Sequence, residues 1–187
     1  MLRKINSLLT IPILILFAAH LVLMSGLLTG VVGFNPDFKI ISYLLLACAA
    51  VHAVFGIFFM VERIIKRVRG QKVYASPNAV FILQAATGIA MLLLLLLHTS
   101  AYGYTAADGT FILRSPTLFY YITEMLLALS VCLHCAVSYP RMAVTFGLVQ
   151  KKNGLKIISI VSSIIFGILF IIAASAFSLY YLPAILG

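Results

Sequence analysis

The sequence predicts an all-α membrane protein of five transmembrane helices, four in an up-down bundle and the fifth packed outside. Three observations carry that prediction. Hydrophobic residues make up 64% of the 187 residues and charged ones 9%, where an ordinary soluble domain carries about 25% charged residues. Mean hydropathy is +1.18. The apolar residues fall into five runs, each longer than the roughly 20 residues a helix needs to cross a hydrocarbon core. Residues 1–187 therefore read as a single transmembrane domain. The formal charge of +9 does not indicate nucleic acid, because the basic residues lie between the apolar runs, where they report topology.

The first span, about residues 7–34, follows Arg3-Lys4 and contains Pro12 and His20. It is longer than a signal-peptide core requires, so it is expected to stay in the membrane. A short loop, Asn35 to Lys39, leads to the second span, about 40–65, with His52. The basic stretch Arg63 to Lys72 precedes the third, about 78–104, whose leucine run ends at His98. A polar loop over 105–115 holds an Asp108-Gly109 turn signal. The fourth span, about 116–149, carries Glu124 and His134 and passes through Pro140-Arg141. After the basic turn Lys151 to Gly154 comes the fifth, about 155–182, which has no histidine. Its Ser159, Ser162, Ser163, Gly167 and Ala173 to Ala176 let helices approach closely in lipid, so it is expected to pack beside a four-helix core.

Orientation follows from the basic residues. Eleven of the 13 lysines and arginines flank one set of helix ends, and only Lys39 and Arg114 flank the other. The excess places the N-terminus in the cytoplasm and the C-terminus outside. Cys48, Cys132 and Cys135 fall within apolar spans, where inert buried thiols are the default. Cys132-Leu-His134-Cys135 is not a covalent haem-attachment motif, because the histidine precedes the second cysteine.

The four histidines lie one on each of the first four spans, with none elsewhere. A single histidine in a span is accounted for equally well by a hydrogen bond to a neighbouring helix. Four on successive helices are harder to explain that way. Imidazole is a ligand for haem iron, and a b-type haem needs no covalent motif. At 1.5 Å per residue from the basic ends, His20 and His98 lie roughly 24 and 30 Å deep, and His52 and His134 roughly 16 and 10 Å. Depth therefore sorts them into an outer pair, His20 with His98, and an inner pair, His52 with His134. These are the two diagonals of an up-down bundle, which suits two stacked haems with paired axial histidines.

Neighbouring residues add to the pattern. Leu94, Met91, Thr87 and Gln84 share the face of His98 on the third helix. Gly56 sits one turn from His52, where a flat macrocycle needs an absent side chain, and Gly88 lies beside Thr87. On the fourth helix, His134, Ser138 and Arg141 fall on one stripe. Arg141, with Arg63, is a candidate partner for the anionic haem propionates, although both also suit interfacial anchoring. Glu124 is the only carboxylate deep in a span. It is a candidate for proton transfer during quinone chemistry at the outer level, the alternative being that it faces water at a frayed helix end.

With these residues in view, the chain resembles the five-helix, two-haem cytochrome b membrane anchor of succinate:quinone oxidoreductases of the Bacillus type. The matching residues are Arg3 to Leu9 leading to His20-Leu-Val, His52-Ala-Val-Phe-Gly56, Phe81 to Ile89 leading to His98, and Ser115-Pro116 leading to His134 and Ala143 to Gly147. The resemblance implies two haem b groups, with His20/His98 and His52/His134 as axial pairs. It implies a flavoprotein subunit and an iron–sulfur subunit docked on the cytoplasmic face of a bacterial cytoplasmic membrane. It also implies a quinone, menaquinone in the first instance, as redox partner, with the dicarboxylate chemistry residing in the flavoprotein. Two positions depart from the family pattern: Ala85 stands where an arginine is common, and Asn6 where a histidine is common. The alternatives are a cytochrome b subunit of another membrane oxidoreductase, of hydrogenase or formate dehydrogenase type, and a haem-free histidine-lined transporter.

Overall fold

The computed structural model describes residues 2–33, 35–70, 79–101, 104–105, 111–112 and 116–187. Of the features read from the sequence, the end of the first span at Phe34, Lys72, Asn78, the Asp108-Gly109 turn, Arg114 and Ser115 lie outside them. Five helices are each long and apolar enough to span a membrane: α1 (Leu2–Leu28), α2 (Phe38–Val68), α3 (Ala79–Ala101), α4 (Leu118–Thr145) and α5 (Lys152–Leu186). Their ends differ from the apolar runs for local reasons. α1 stops short of the end of its run because Gly30 takes φ +74, a left-handed turn that side chains avoid. α4 opens on Thr117, whose hydroxyl accepts the Tyr120 N–H. It closes in a Schellman turn, with Gly147 at φ +72 and the Leu148 N–H donating to the Ala143 carbonyl at 3.0 Å. Past Ala101, Tyr104–Thr105 (β1), at the expected end of the third span, pairs antiparallel with Phe111–Ile112 (β2) in the segment expected to be loop. Aromatic and β-branched residues flank the Asp-Gly signal there and favour a short ladder.

Side-chain partners fix the up-down course. His20 meets Ser42 between α1 and α2, and Gln84 meets Ser138 while His98 meets Glu124 between α3 and α4. Tyr121 meets Ser178 and Ala136 meets Ser162 between α4 and α5. Each pair joins residues toward the start of one helix to residues toward the end of its neighbour, so neighbours run antiparallel. α2 packs on α1, α3 packs on α4, and α5 lies against both α1 and α4. The α1–α2 and α3–α4 pairs thus face one another, backed by α5.

The buried core sits at that back seam. Leu21, Ala128 and Ala173 from α1, α4 and α5 are buried together, with Phe17, Leu169, Phe170 and Phe177 packed around them. On α5 the residues that pack inward are Ser162, Phe166, Ala173, Ala176 and Tyr181. Ser159, Ser163 and Gly167, grouped with them as packing residues from the sequence, are exposed instead. Ser163 and Gly167 lie off the stripe that 3.6 residues per turn draws through Ser162 and Phe166, and Ser159 lies a turn nearer the exposed start of the helix. No residue in the spanning window of α2 is buried. Its Leu44, Val51, Val54 and Phe58 are exposed, as suits side chains in contact with lipid tails.

A proline explains one of the polar contacts in this seam. Pro140, inside α4, has no N–H, so the Ala136 carbonyl four residues earlier loses its helical donor. The Ser162 hydroxyl of α5, in a residue only 1% exposed, donates to that carbonyl at 3.1 Å. Each polar group solves the other's problem in a place without water.

Candidate functional site

The histidines gather at two levels between the facing helix pairs. At the level nearer the β1–β2 ladder, the His20 and His98 rings have centroids 6.2 Å apart and planes 72° from parallel. At the other level, nearer Arg63 and Arg141, His52 and His134 lie within electrostatic range of one another. Ten residues separate Ser42 from His52 on α2, and ten separate Glu124 from His134 on α4. At 1.5 Å per residue, the levels are about 15 Å apart. Among the described residues α1–α3 and α2–α4 are not extensively packed pairs, and the His20 and His98 rings approach one another between α1 and α3.

The orientation of the rings follows from what holds Nδ1. His134 Nδ1 lies 3.1 Å from the Gln84 carbonyl and 3.2 Å from Thr87 Oγ1. A carbonyl only accepts, and the Thr87 hydroxyl spends its proton on the Leu83 carbonyl at 2.7 Å, so His134 carries its proton on Nδ1. In His134 the lone pair is therefore left on Nε2. His20 Nδ1 lies 3.1 Å from Ser42 Oγ, whose proton goes to the Phe38 carbonyl at 3.3 Å. His98 Nδ1 lies 2.7 Å from Glu124 Oε2. His52 differs: its Nδ1 is buried without a hydrogen-bond partner, as is the Asn6 side-chain oxygen.

This is the arrangement that metal-bound histidine requires, since such a ring almost always donates its other N–H to a carboxylate, carbonyl or hydroxyl. Were His20 and His98 to hold one metal ion between them at metal–nitrogen distances of about 2 Å, their ring centres would lie on the order of 6 Å apart. The His20–His98 separation matches that figure. No group of three or more histidine, cysteine, aspartate or glutamate side chains is placed to hold a metal ion among the described residues. A haem needs only two protein ligands, because the macrocycle brings four nitrogens of its own.

Gly88 allows α3 and α4 to close on the second level. A Cβ there would meet His134 Cε1 at 3.3 Å and Nδ1 at 3.6 Å. Gly56 lies one turn beyond His52, and a Cβ there would meet nothing within 4 Å. Arg141 is exposed, and its Nη1 donates to Gln84 Oε1, while Gln84 Nε2 donates to Ser138 Oγ at 2.9 Å. Arg63 comes within electrostatic range of Arg141, so two guanidinium groups share the end of the bundle above His52 and His134.

Glu124 is 1% exposed, which overturns the alternative that it faces water at a frayed helix end. The start of α4 is covered there by α5, whose Tyr181 lies within electrostatic range of the carboxylate. Glu124 Oε2 is taken by His98 and Oε1 has no hydrogen-bond partner. Sequence reasoning missed Ser42 altogether. Its only signal is being a hydroxyl on α2 at the depth of His20. The role of the Gln84 backbone carbonyl had no signal, because every residue carries one. The three cysteines are free thiols, with Cys132 buried and Cys48 and Cys135 half-buried. No protein-family model, curated protein or solved structure matches the chain.

Proposed function

We propose that the chain is a di-haem b-type cytochrome, the membrane-anchor and electron-transfer subunit of a quinone-linked oxidoreductase. The single observation that supports this most is the common arrangement of His20, His98 and His134: Nδ1 of each is held by a polar group of a neighbouring helix, at two levels that each draw an imidazole from either helix pair. Haem at each level, between His20 and His98 and between His52 and His134, would supply a one-electron iron couple. The chain's own residues hold and shape those places. Ser42 and Glu124 orient the rings at one level, and Gln84 and Thr87 orient His134 at the other. Arg141, tied to Gln84, and Arg63 offer cationic partners for propionates at the second level.

The order and spacing of the four histidines support assignment to the succinate dehydrogenase and fumarate reductase group. In that setting the partners are an iron–sulfur subunit and a flavoprotein subunit at the basic, cytoplasmic end, and the quinone is menaquinone. The eleven-to-two distribution of basic residues supports a cytoplasmic N-terminus and an outer C-terminus in a bacterial cytoplasmic membrane.

A reduced-minus-oxidised spectrum and a haem assay of the purified protein test the reading. Two haems per chain are expected. His20→Ala and His98→Ala are expected to lose one and the same haem, and His52→Ala and His134→Ala the other. A wild-type protein without haem refutes the cytochrome reading, and a haem lost in both His98→Ala and His52→Ala refutes the pairing. Identifying the soluble subunits that co-purify separates succinate chemistry from a hydrogenase or formate dehydrogenase.

A further inference from the structure

The two levels are not chemically alike. His134 leans on a backbone carbonyl and a hydroxyl, and His20 leans on a hydroxyl. Only His98 leans on a carboxylate, Glu124, at 2.7 Å. Glu124 is 1% exposed and Oε1 has no hydrogen-bond partner, so the His98 N–H is the one hydrogen bond the carboxylate makes. A carboxylate in a dry site with a single donor pulls hard on that proton, because no water competes for it. Its partner ring gains anionic character and becomes a more basic ligand through Nε2.

We propose that Glu124 is a positioning residue for His98: it fixes the tautomer and plane of that ring and makes His98 the most electron-rich of the four imidazoles. This inference rests on the cytochrome reading and deepens it. It gives Glu124 a role at His98 beside the sequence-derived one of proton carrier to quinone. Glu124 does not touch the place a macrocycle occupies by way of Nε2; it acts through Nδ1. An electron-rich axial ligand stabilises ferric over ferrous iron, so the midpoint potential of the haem held by His20 and His98 is lowered by Glu124, and that of the other haem is not.

The test uses the full chain in its membrane complex, with redox titration of the haem absorbance and low-temperature EPR of the ferric state. Glu124→Gln keeps an amide oxygen that still accepts the Nδ1–H but removes the charge. Both haems are expected to remain, with the midpoint of one raised, its EPR g values altered, and the other unchanged. The affected haem is expected to be the one missing in His98→Ala. Glu124→Asp, which keeps the charge on a shorter arm, is expected to lie between Gln and wild type, and Ser42→Ala is expected to leave the potentials closer to wild type than Glu124→Gln does. Two haems with unchanged midpoints and g values in Glu124→Gln overturn the inference while leaving the cytochrome reading intact. An equal shift of both haems overturns it as well, because a nonspecific structural change would act that way. Absence of haem from the wild-type protein removes the cytochrome reading itself, and this inference with it.

Discussion

The contact between Ser162 and the carbonyl that Pro140 leaves open can be tested without reference to any cofactor. Ser162→Ala deletes one hydroxyl from a residue 1% exposed and leaves the Ala136 carbonyl with neither a helical N–H nor a side-chain donor. A lost hydrogen bond that orphans a buried acceptor costs about 1–3 kcal/mol in water-soluble proteins. Measured values inside membranes average nearer about 0.6 kcal/mol, because the unfolded helices also find partners. For a bond at 3.1 Å with no competing donor, about 1 kcal/mol is expected. In a Pro140→Ala background the new N–H recaptures the carbonyl, so the same Ser162→Ala change should cost less than about 0.5 kcal/mol. The four proteins of this double-mutant cycle can be compared by reversible unfolding in mixed detergent micelles. An equal loss in both backgrounds would falsify the pairing of the proline with the serine.

Three further substitutions address the two levels. Gly88→Leu places a side chain against His134, whose ring lies 3.3 Å from where even a Cβ would be; haem content is expected to fall from two to one per chain, with the His20/His98 haem retained. Ser42→Ala removes the hydrogen bond to His20 Nδ1, worth about 0.5–1.5 kcal/mol, and should weaken occupancy of the haem lost in His98→Ala, read by haem content under detergent washing. Gln84→Leu unties Arg141 and Ser138 but leaves His134 on the Gln84 backbone carbonyl. It should keep both haems and lower thermal stability by about 1 kcal/mol; loss of the His52/His134 haem would show that the side chain, not the carbonyl, holds His134.

Much of the fold was legible because a bilayer restricts the choices. Five apolar runs became five helices because no other open structure satisfies its backbone in hydrocarbon. The proximity of His20 to His98 could be counted from helix rise alone, since a straight helix converts sequence distance into depth. Helix ends were less legible: Gly30 and Gly147 end α1 and α4 through positive φ, which overrides hydrophobicity. The α5 interface was partly misread because small residues occur all round that helix, and only the stripe through Ser162, Phe166 and Ala173 meets α1 and α4. The network around the histidines was least legible. Ser42, Glu124 and the Gln84 carbonyl lie on a different helix from the ring each of them anchors, and the pairing depends on helix rotation, which the sequence of one strongly apolar helix does little to specify.

The number of imidazoles per level bears on which metal chemistry fits. A bare divalent ion such as zinc takes four protein or water ligands, usually three or more from the protein. Here each level offers two imidazoles, from opposite helix pairs, with the other ring nitrogen already committed in three of the four. Rings used for proton relay would need both nitrogens free to exchange, one receiving as the other releases. His134 is instead locked through Nδ1 on a backbone carbonyl that cannot give a proton back, which makes that ring a poor relay. A group that brought four donors of its own would need only the two imidazoles that each level offers.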